Sequence, residues 1–122
     1  MCKILLSINP EHVENILNGS KKVEYRKVTC SCDVDKILIY STSPVMKVVG
    51  EAAVLEIIED SPDNVWRLTF QDAGITRSFF DKYYEDKSKA VAFKLGKVTK
   101  YMKPLSLSDL GVNSAPQSFV YL

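Results

Sequence analysis

The chain has 122 residues and a net charge of +1, from 16 basic and 15 acidic side chains, so no overall electrostatic field attracts it to nucleic acid. Hydrophobic residues make up 46% of the sequence and charged residues 25%, a balance that is typical of a packed globule and excludes a disordered chain. At this length we expect a single domain over residues 1–122.

The sequence predicts a cytoplasmic protein that is not embedded in a membrane. No run of about 18 apolar residues occurs, and the apolar stretch at residues 4–6 is too short for the core of a secretion signal. Cys30 and Cys32 lie too close together for an unstrained mutual disulfide, so we expect reduced thiols. Because no second cysteine pair or nearby histidine completes a tetrahedral site, we expect no metal and no other cofactor.

A strand and a short helix are predicted first. The apolar run 4–8 predicts a buried strand, Asn9 can cap the helix that follows, and Pro10 suits its first position. Apolar residues then recur at helical spacing until Gly19, which stands where a left-handed helix cap is usual.

The next segment, residues 21–28, is predicted to be a strand with one charged face. Its side chains alternate with period two, which places Val23 and Tyr25 together. The opposite face then carries three charged side chains, Lys22, Glu24 and Arg26.

Further strands are predicted at 36–40, 45–58 and 90–95, the last continuing towards residue 102, and residues 104–122 are expected to pack back on the body. Ser61 and Thr76 can each cap a helix. The second of these helices carries an aromatic stripe that we interpret as core packing: Phe79, Phe80, Tyr83 and Tyr84. Strands outnumber helices, which predicts an α+β fold with a small mixed or antiparallel β-barrel and two to three flanking helices.

Several segments together resemble the ASCH domain family. The most specific is Gly19-x-Lys21-x-x-Glu24-x-Arg26, because it lies between a capped helix and a strand. The other similar segments, which extend the resemblance over nearly the whole chain, are residues 6–10, 16–19, 39–44, 49–51 and 115–119.

This resemblance implies a PUA-like barrel with a cleft beside the motif strand. It also implies binding of RNA or of a modified nucleoside, and some members are hydrolases of acylated cytidine or ribonucleases. Two positions depart from the family pattern. Many members carry a basic residue where this chain has Asn9, and the deacylases carry a threonine where it has Glu24. Since a carboxylate does not replace a hydroxyl nucleophile easily, the deacylase reaction is the less favoured one.

Lys21, Glu24 and Arg26 form the sharpest candidate site. In the functional interpretation, the two cations hold a phosphate or base edge while Glu24 orients one of them or accepts a proton. The alternative is a solvated cross-strand ion pair worth under about 1 kcal/mol. Strict alternation selects Lys22 for the charged face, whereas the family motif selects Lys21, so we assign Lys21 to the cleft and keep Lys22 as a phosphate contact.

Four further residues complete the candidate set, and the single histidine is set apart from it. The hydroxyls of Ser41, Thr42 and Ser43 end a predicted strand, where binding groups often gather, although a simple proline-ended turn explains them equally well. Asp72 could supply a second carboxylate to an enzyme. His12, the only histidine, is expected on the surface of the first helix, apart from the motif.

The first functional hypothesis is a module that binds single-stranded RNA or a modified nucleoside or nucleotide through Lys21, Lys22, Glu24, Arg26 and the 41–43 loop. The second is a small hydrolase, an amidohydrolase or ribonuclease, with Lys21 and Glu24 catalytic. A third is a transcription-related adaptor, which the family resemblance allows and no residue demands. The sequence does not predict the oligomeric state.

Overall fold

The computed structural model describes residues 2–30 and 33–122. Cys32, of the Cys30-x-Cys32 pair, lies outside the described residues. Apolar alternation, proline and side-chain caps divide the chain into strands and helices close to the predicted positions. The strands are β1 (Cys2–Ile8), β2 (Val23–Arg26), β3 (Val34–Ser41), β4 (Lys47–Asp60), β5 (Ala90–Leu105) and β6 (Phe119–Tyr121). The helices are α1 (Pro10–Leu17), α2 (Pro62–Thr69) and α3 (Arg77–Tyr83), with short 3₁₀ turns at Phe70–Asp72 and Ser108–Leu110.

The predicted helix starts are confirmed by their hydrogen bonds. Asn9 Oδ1 accepts from the backbone N–H of Glu11 at 3.0 Å, and Thr76 Oγ1 accepts from that of Phe79 at 3.1 Å. Ser61 caps α2 in the same way. Each contact satisfies a backbone donor that the helix leaves free, so these starts depend on local sequence alone.

One mixed sheet contains the six strands in the order β2-β5-β4-β3-β1-β6. The pair β1–β3 is parallel and the other neighbouring pairs are antiparallel. The sheet curls into a half-barrel, which confirms the predicted α+β class with a mixed barrel and three flanking helices. The bend expected at Gly50 coincides with register shifts on both sides of β4.

Hydrophobic residues pack in three clusters. The first fills the inside of the curl under α1 and includes Ile37, Ile39 and Phe93. The second joins β2 and β5 to α2 and α3. The third lies on the other face of β3 and is covered by the C-terminal segment, as predicted for the apolar tail.

Two observations bear on the expected location of the protein. No helix in the described part of the chain is long and apolar enough to cross a membrane. Cys2 is disulfide-bonded, which corrects the expectation of reduced thiols. Cytoplasmic localisation therefore stays a prediction.

Candidate functional site

A cavity of about 260 Å³ opens between α1, the start of β2 and the 75–83 region. It lies inside the curl of the sheet, where the motif strand meets the end of β1. Polar side chains form part of the wall and aromatic rings form another part: His12, Lys21, Glu24 and Arg26, then Tyr25, Phe79 and Tyr83.

Lys21 is buried, with 2% of its surface exposed, although its side chain ends in an ionisable amine. Its Nζ donates to the carbonyl oxygen of Ala73 at 2.7 Å and lies 5.0 Å from the centroid of the Tyr25 ring. Burial lowers the pKa of this amine, and the neighbouring carboxylate of Glu24 opposes that shift. Lys21 is therefore held as a poorly solvated amine at the cavity wall.

The segment that follows α2 clamps Lys21 in this position. The backbone N–H of Lys22 donates to the carbonyl oxygen of Asp72 at 2.9 Å. Gly74 has φ +66°, and a Cβ there would lie 2.5 Å from Cβ of Lys21 and 2.9 Å from its Cα. Only glycine combines this left-handed backbone with so close an approach.

Glu24 and Arg26 form a largely buried ion pair, with Nη1 and Oε2 at 3.3 Å and side-chain exposures of 7% and 14%. Arg26 also donates to the carbonyl oxygen of Ser7 at 3.2 Å and to that of Ser118 at 2.8 Å. These two carbonyls belong to β1 and to the residue that precedes β6. Arg26 thus ties one edge strand of the curled sheet to the other edge.

Lys21 lines the cavity although alternation had favoured Lys22. Regular strand geometry begins only at Val23, so the side-chain direction of Lys21 is not set by the pleat. Lys22 is exposed and lies outside the cavity. Its role as a phosphate contact stays a prediction.

His12 lies in the cavity, so the expectation of a surface histidine apart from the motif is wrong. The chain reverses after α1 through Gly19 (φ +87°), and the backbone N–H of Lys21 donates to the carbonyl oxygen of Asn15 at 3.0 Å. This returns the motif to the side of α1 that carries His12. The sequence signal for this reversal was a glycine followed by the motif lysine. Sequence alone does not give the direction in which the chain returns, because tertiary contacts set it.

The His12 imidazole is held edge-on against the Phe79 ring, with centroids 5.3 Å apart and planes at 77°. Burial, and then the positive charge of Lys21, lower its pKa, while Glu24 and Glu11 act in the opposite direction. The ring is therefore neutral near pH 7.

The aromatic stripe on α3 has two roles, where the sequence indicated one. Phe80 and Tyr84 are core residues, as predicted, with 0% and 3% exposure. Phe79 and Tyr83 instead contribute to the cavity wall. Helical spacing places all four rings on one broad face, and the position of β2 decides which of them remain accessible.

The remaining candidates lie outside the cavity lining. Ser41 is buried at the end of β3, and Thr42 donates its backbone N–H to the carbonyl oxygen of Ile8 at 3.0 Å, which places the loop beside the cavity. Asp72 is exposed in the turn that clamps Lys21. The structure thus brings together Lys21, Glu24 and Arg26 and leaves Ser41, Thr42, Ser43, Lys22 and Asp72 around them.

This arrangement suits binding and proton transfer. An amine and an imidazole with lowered pKa values share a cavity with a carboxylate that an arginine orients, and such convergence is characteristic of functional sites. Within residues 2–30 and 33–122, no group of three or more His, Cys, Asp or Glu side chains is placed to hold a metal ion.

Comparison with known proteins adds family information. Residues 2–113 match the family model described as "Domain of unknown function (DUF365)". An ASCH domain-containing ribonuclease of Zymomonas mobilis is 29% identical over 97% of this chain and 82% of its own length. The crystal structure of ASCH from Zymomonas mobilis superposes with a TM-score of 0.88 at 28% identity, covering 98% of this chain and 87% of that chain.

Two larger proteins of Ureaplasma parvum also contain a matching segment. One is named ATP synthase subunit alpha and is 36% identical over 98% of this chain; the other is named large ribosomal subunit protein uL22 and is 32% identical over 98%. The chain spans only 15% and 39% of their respective lengths.

Proposed function

The chain belongs to the ASCH family, and on that premise we propose that it is an RNA-binding module that takes an unstacked base of single-stranded RNA into the cavity beside Lys21, Glu24 and Arg26. The same cavity would accept a free modified nucleoside. The observation that carries this proposal is the convergence of buried charged groups and aromatic rings in one small concave space.

The size of the cavity favours a single base over a larger ligand. Its volume of about 260 Å³ lies just below the range of roughly 300–1,000 Å³ that holds drug-sized molecules. A duplex cannot enter such a space, whereas an unstacked base can lie against rings such as Tyr25, Phe79 and Tyr83. The name of the Zymomonas relative, a ribonuclease, supports RNA as the polymer.

The near-neutral charge of the chain is compatible with this mode of binding. With a net charge of +1, no overall field concentrates RNA at the chain, so affinity must come mainly from contacts in the cavity. We expect the logarithm of the affinity to fall only shallowly with the logarithm of salt concentration, with a slope no steeper than about −2.

A second candidate function is hydrolysis at the same cavity, and the lowered pKa of Lys21 favours it. In RNA cleavage, Glu24 would accept the proton of the attacking 2′-hydroxyl as its oxygen bonds to phosphorus and the bond to the 5′-oxygen breaks. Water would protonate that leaving oxygen, and Lys21 would stabilise negative charge on the phosphate. Cleavage of an acylated nucleoside is less favoured, because Glu24 replaces the hydroxyl of the deacylases.

The binding proposal is tested with Lys21→Met, which keeps the long apolar stem against Gly74 and removes the cation. Hydrogen bonds to charged groups contribute about 1.5–3 kcal/mol, so the affinity for a labelled single-stranded RNA should fall roughly tenfold to a hundredfold. Fluorescence anisotropy at low salt measures it. Lys103→Met, at an exposed lysine outside the cavity, is the matched control and should change affinity by less than about twofold.

Absence of RNA and nucleoside binding by the unmodified protein at low salt would overturn the proposed function. If Lys21→Met and Lys103→Met bind RNA with equal affinity, the cavity is not the RNA-binding site.

Glu24→Gln separates binding from hydrolysis. If the cavity only binds, neither the unmodified protein nor this variant cleaves RNA. If it hydrolyses RNA, Glu24→Gln should abolish cleavage while the affinity stays within a few-fold, because a neutral amide cannot accept the proton. Gel analysis of labelled RNA, with circular dichroism to confirm folding, measures both.

A further inference from the structure

One buried polar atom of the cavity has no partner among the residues that the structure describes. This atom is Nδ1 of His12. A buried nitrogen that makes no hydrogen bond costs about 1–3 kcal/mol, so such atoms in folded proteins call for an explanation. Here the nitrogen belongs to a ring that lines the cavity and that Phe79 holds from the side.

We propose that the neutral imidazole of His12 is a binding residue of this cavity and that, when a base enters and shifts the side chains that shield the ring, its Nδ1 accepts a hydrogen bond from an N–H group of that base. This inference rests on the proposed function and assigns a residue outside the family motif. It also names the ligand group that enters the cavity: a base edge that donates hydrogen bonds, rather than a phosphate.

The cations of the cavity are already engaged with protein oxygens. Lys21 donates to the carbonyl oxygen of Ala73, and Arg26 donates to Ser7, Ser118 and Glu24. A phosphate would have to compete with these contacts.

The acceptors favour a base more directly. Glu24 and the neutral His12 both present lone pairs, whereas phosphate oxygens are themselves acceptors and would be repelled by the Glu24 carboxylate. Every common base has at least one N–H on its hydrogen-bonding edge. The cavity therefore complements a donor edge.

The charges around His12 keep it in the required form. Burial disfavours the protonated ring most, and the positive charge of Lys21, on the loop that returns to α1, disfavours it further. Glu11 on the same helix and Glu24 on β2 favour protonation but do not outweigh these effects, since the pKa of His12 is lowered on balance. Arg26, which also lines the cavity, adds another positive charge.

Nuclear magnetic resonance can follow this ring directly, because His12 is the only histidine of the chain. The imidazole is titrated with pH in the free protein and in the presence of saturating single-stranded RNA of mixed sequence. If Nδ1 accepts from a base, RNA binds the neutral form and the pKa of His12 decreases on binding. An increase would mean that a phosphate occupies the cavity, and an unchanged pKa that His12 makes no contact; either result overturns the inference.

Paired variants supply an independent measurement. His12→Asn keeps an acceptor near the position of Nδ1 but does not titrate, and should retain affinity within about threefold. His12→Phe keeps a ring without an acceptor and should bind roughly tenfold more weakly. Glu14→Gln, at an exposed position on the same helix, is the control and should bind like the unmodified protein.

These outcomes separate the two proposals. One possible result is that the unmodified protein binds RNA, that Lys21→Met weakens this binding, and that His12→Phe leaves it unchanged. In that case the proposed function stands and the role of His12 is overturned. If the unmodified protein binds no RNA, both fall together. Thermal unfolding of each variant identifies any loss of binding that comes from unfolding.

Discussion

Two ion-pair clusters with similar residue types lie on different faces of the sheet. In the cavity, Glu24 pairs with Arg26 at side-chain exposures of 7% and 14%. On the other face, Lys36 Nζ lies 2.6 Å from Glu51 Oε2, with side-chain exposures of 34% and 25%. The outer pair is shorter, yet it is the more solvated one.

The environments of the two pairs differ more than their geometry. The Tyr101 hydroxyl donates to Glu51 at 2.8 Å, and the hydrogen bond from Lys36 is the main cause of the lowered pKa of Glu51. Around Glu24, by contrast, Lys21 and His12 are buried enough that their own pKa values are lowered. Charge pairing alone therefore does not mark a site; burial and convergence in a concave space distinguish the inner pair.

The largest expected effect is that of Arg26→Ala. This change leaves Glu24 without its cation and removes the contacts to β1 and to the segment before β6, so unfolding free energy should fall by about 3–5 kcal/mol. Urea denaturation measures it. Arg67→Ala, at an exposed position of α2, should change stability by less than about 0.5 kcal/mol. Similar midpoints for the two variants would show that Arg26 does not close the curl.

An intermediate effect is expected at Gly74. An alanine there combines a strained left-handed backbone with a clash against Lys21, so Gly74→Ala should lower stability and RNA affinity together. Gly111→Ala is the matched control, because Gly111 has φ +72° but nothing within 4 Å of an added Cβ.

The difference between the stability losses of the two variants isolates the cost of the clash with Lys21. Gly111→Ala should cost about 1–2 kcal/mol from backbone strain alone, and Gly74→Ala about 1–3 kcal/mol more. Thermal unfolding measures both. Equal losses would mean that the close approach to Lys21 relaxes freely.

The smallest effect is expected for the outer pair. A double-mutant cycle with Lys36→Ala and Glu51→Ala should give a coupling energy under about 1 kcal/mol that decreases further with added salt. Denaturation of the four proteins at two salt concentrations measures it. A coupling energy as large as the stability loss from Arg26→Ala would show that the more solvated pair matters as much for stability as the buried one.

Much of the fold could be predicted because its signals are local. Period-two alternation, apolar runs and the caps Asn9, Ser61 and Thr76 predicted the principal strands and all three helices. The predicted bounds of β2, residues 21–28, were two residues too wide at each end, because the ladder with β5 covers only Val23 to Arg26. The parallel pairing of β1 with β3 had no sequence signal, because it depends on a crossover between distant segments.

For the candidate site, the sequence by itself determined the residue types: a motif lysine, glutamate and arginine between a capped helix and a strand. Tertiary structure decided what each one contacts. Lys21 meets a carbonyl 52 residues away, and Arg26 meets one 92 residues away. His12 enters the cavity only because the chain reverses at Gly19. Contacts between such distant segments depend on how the whole sheet curls, and no local spacing carries that information.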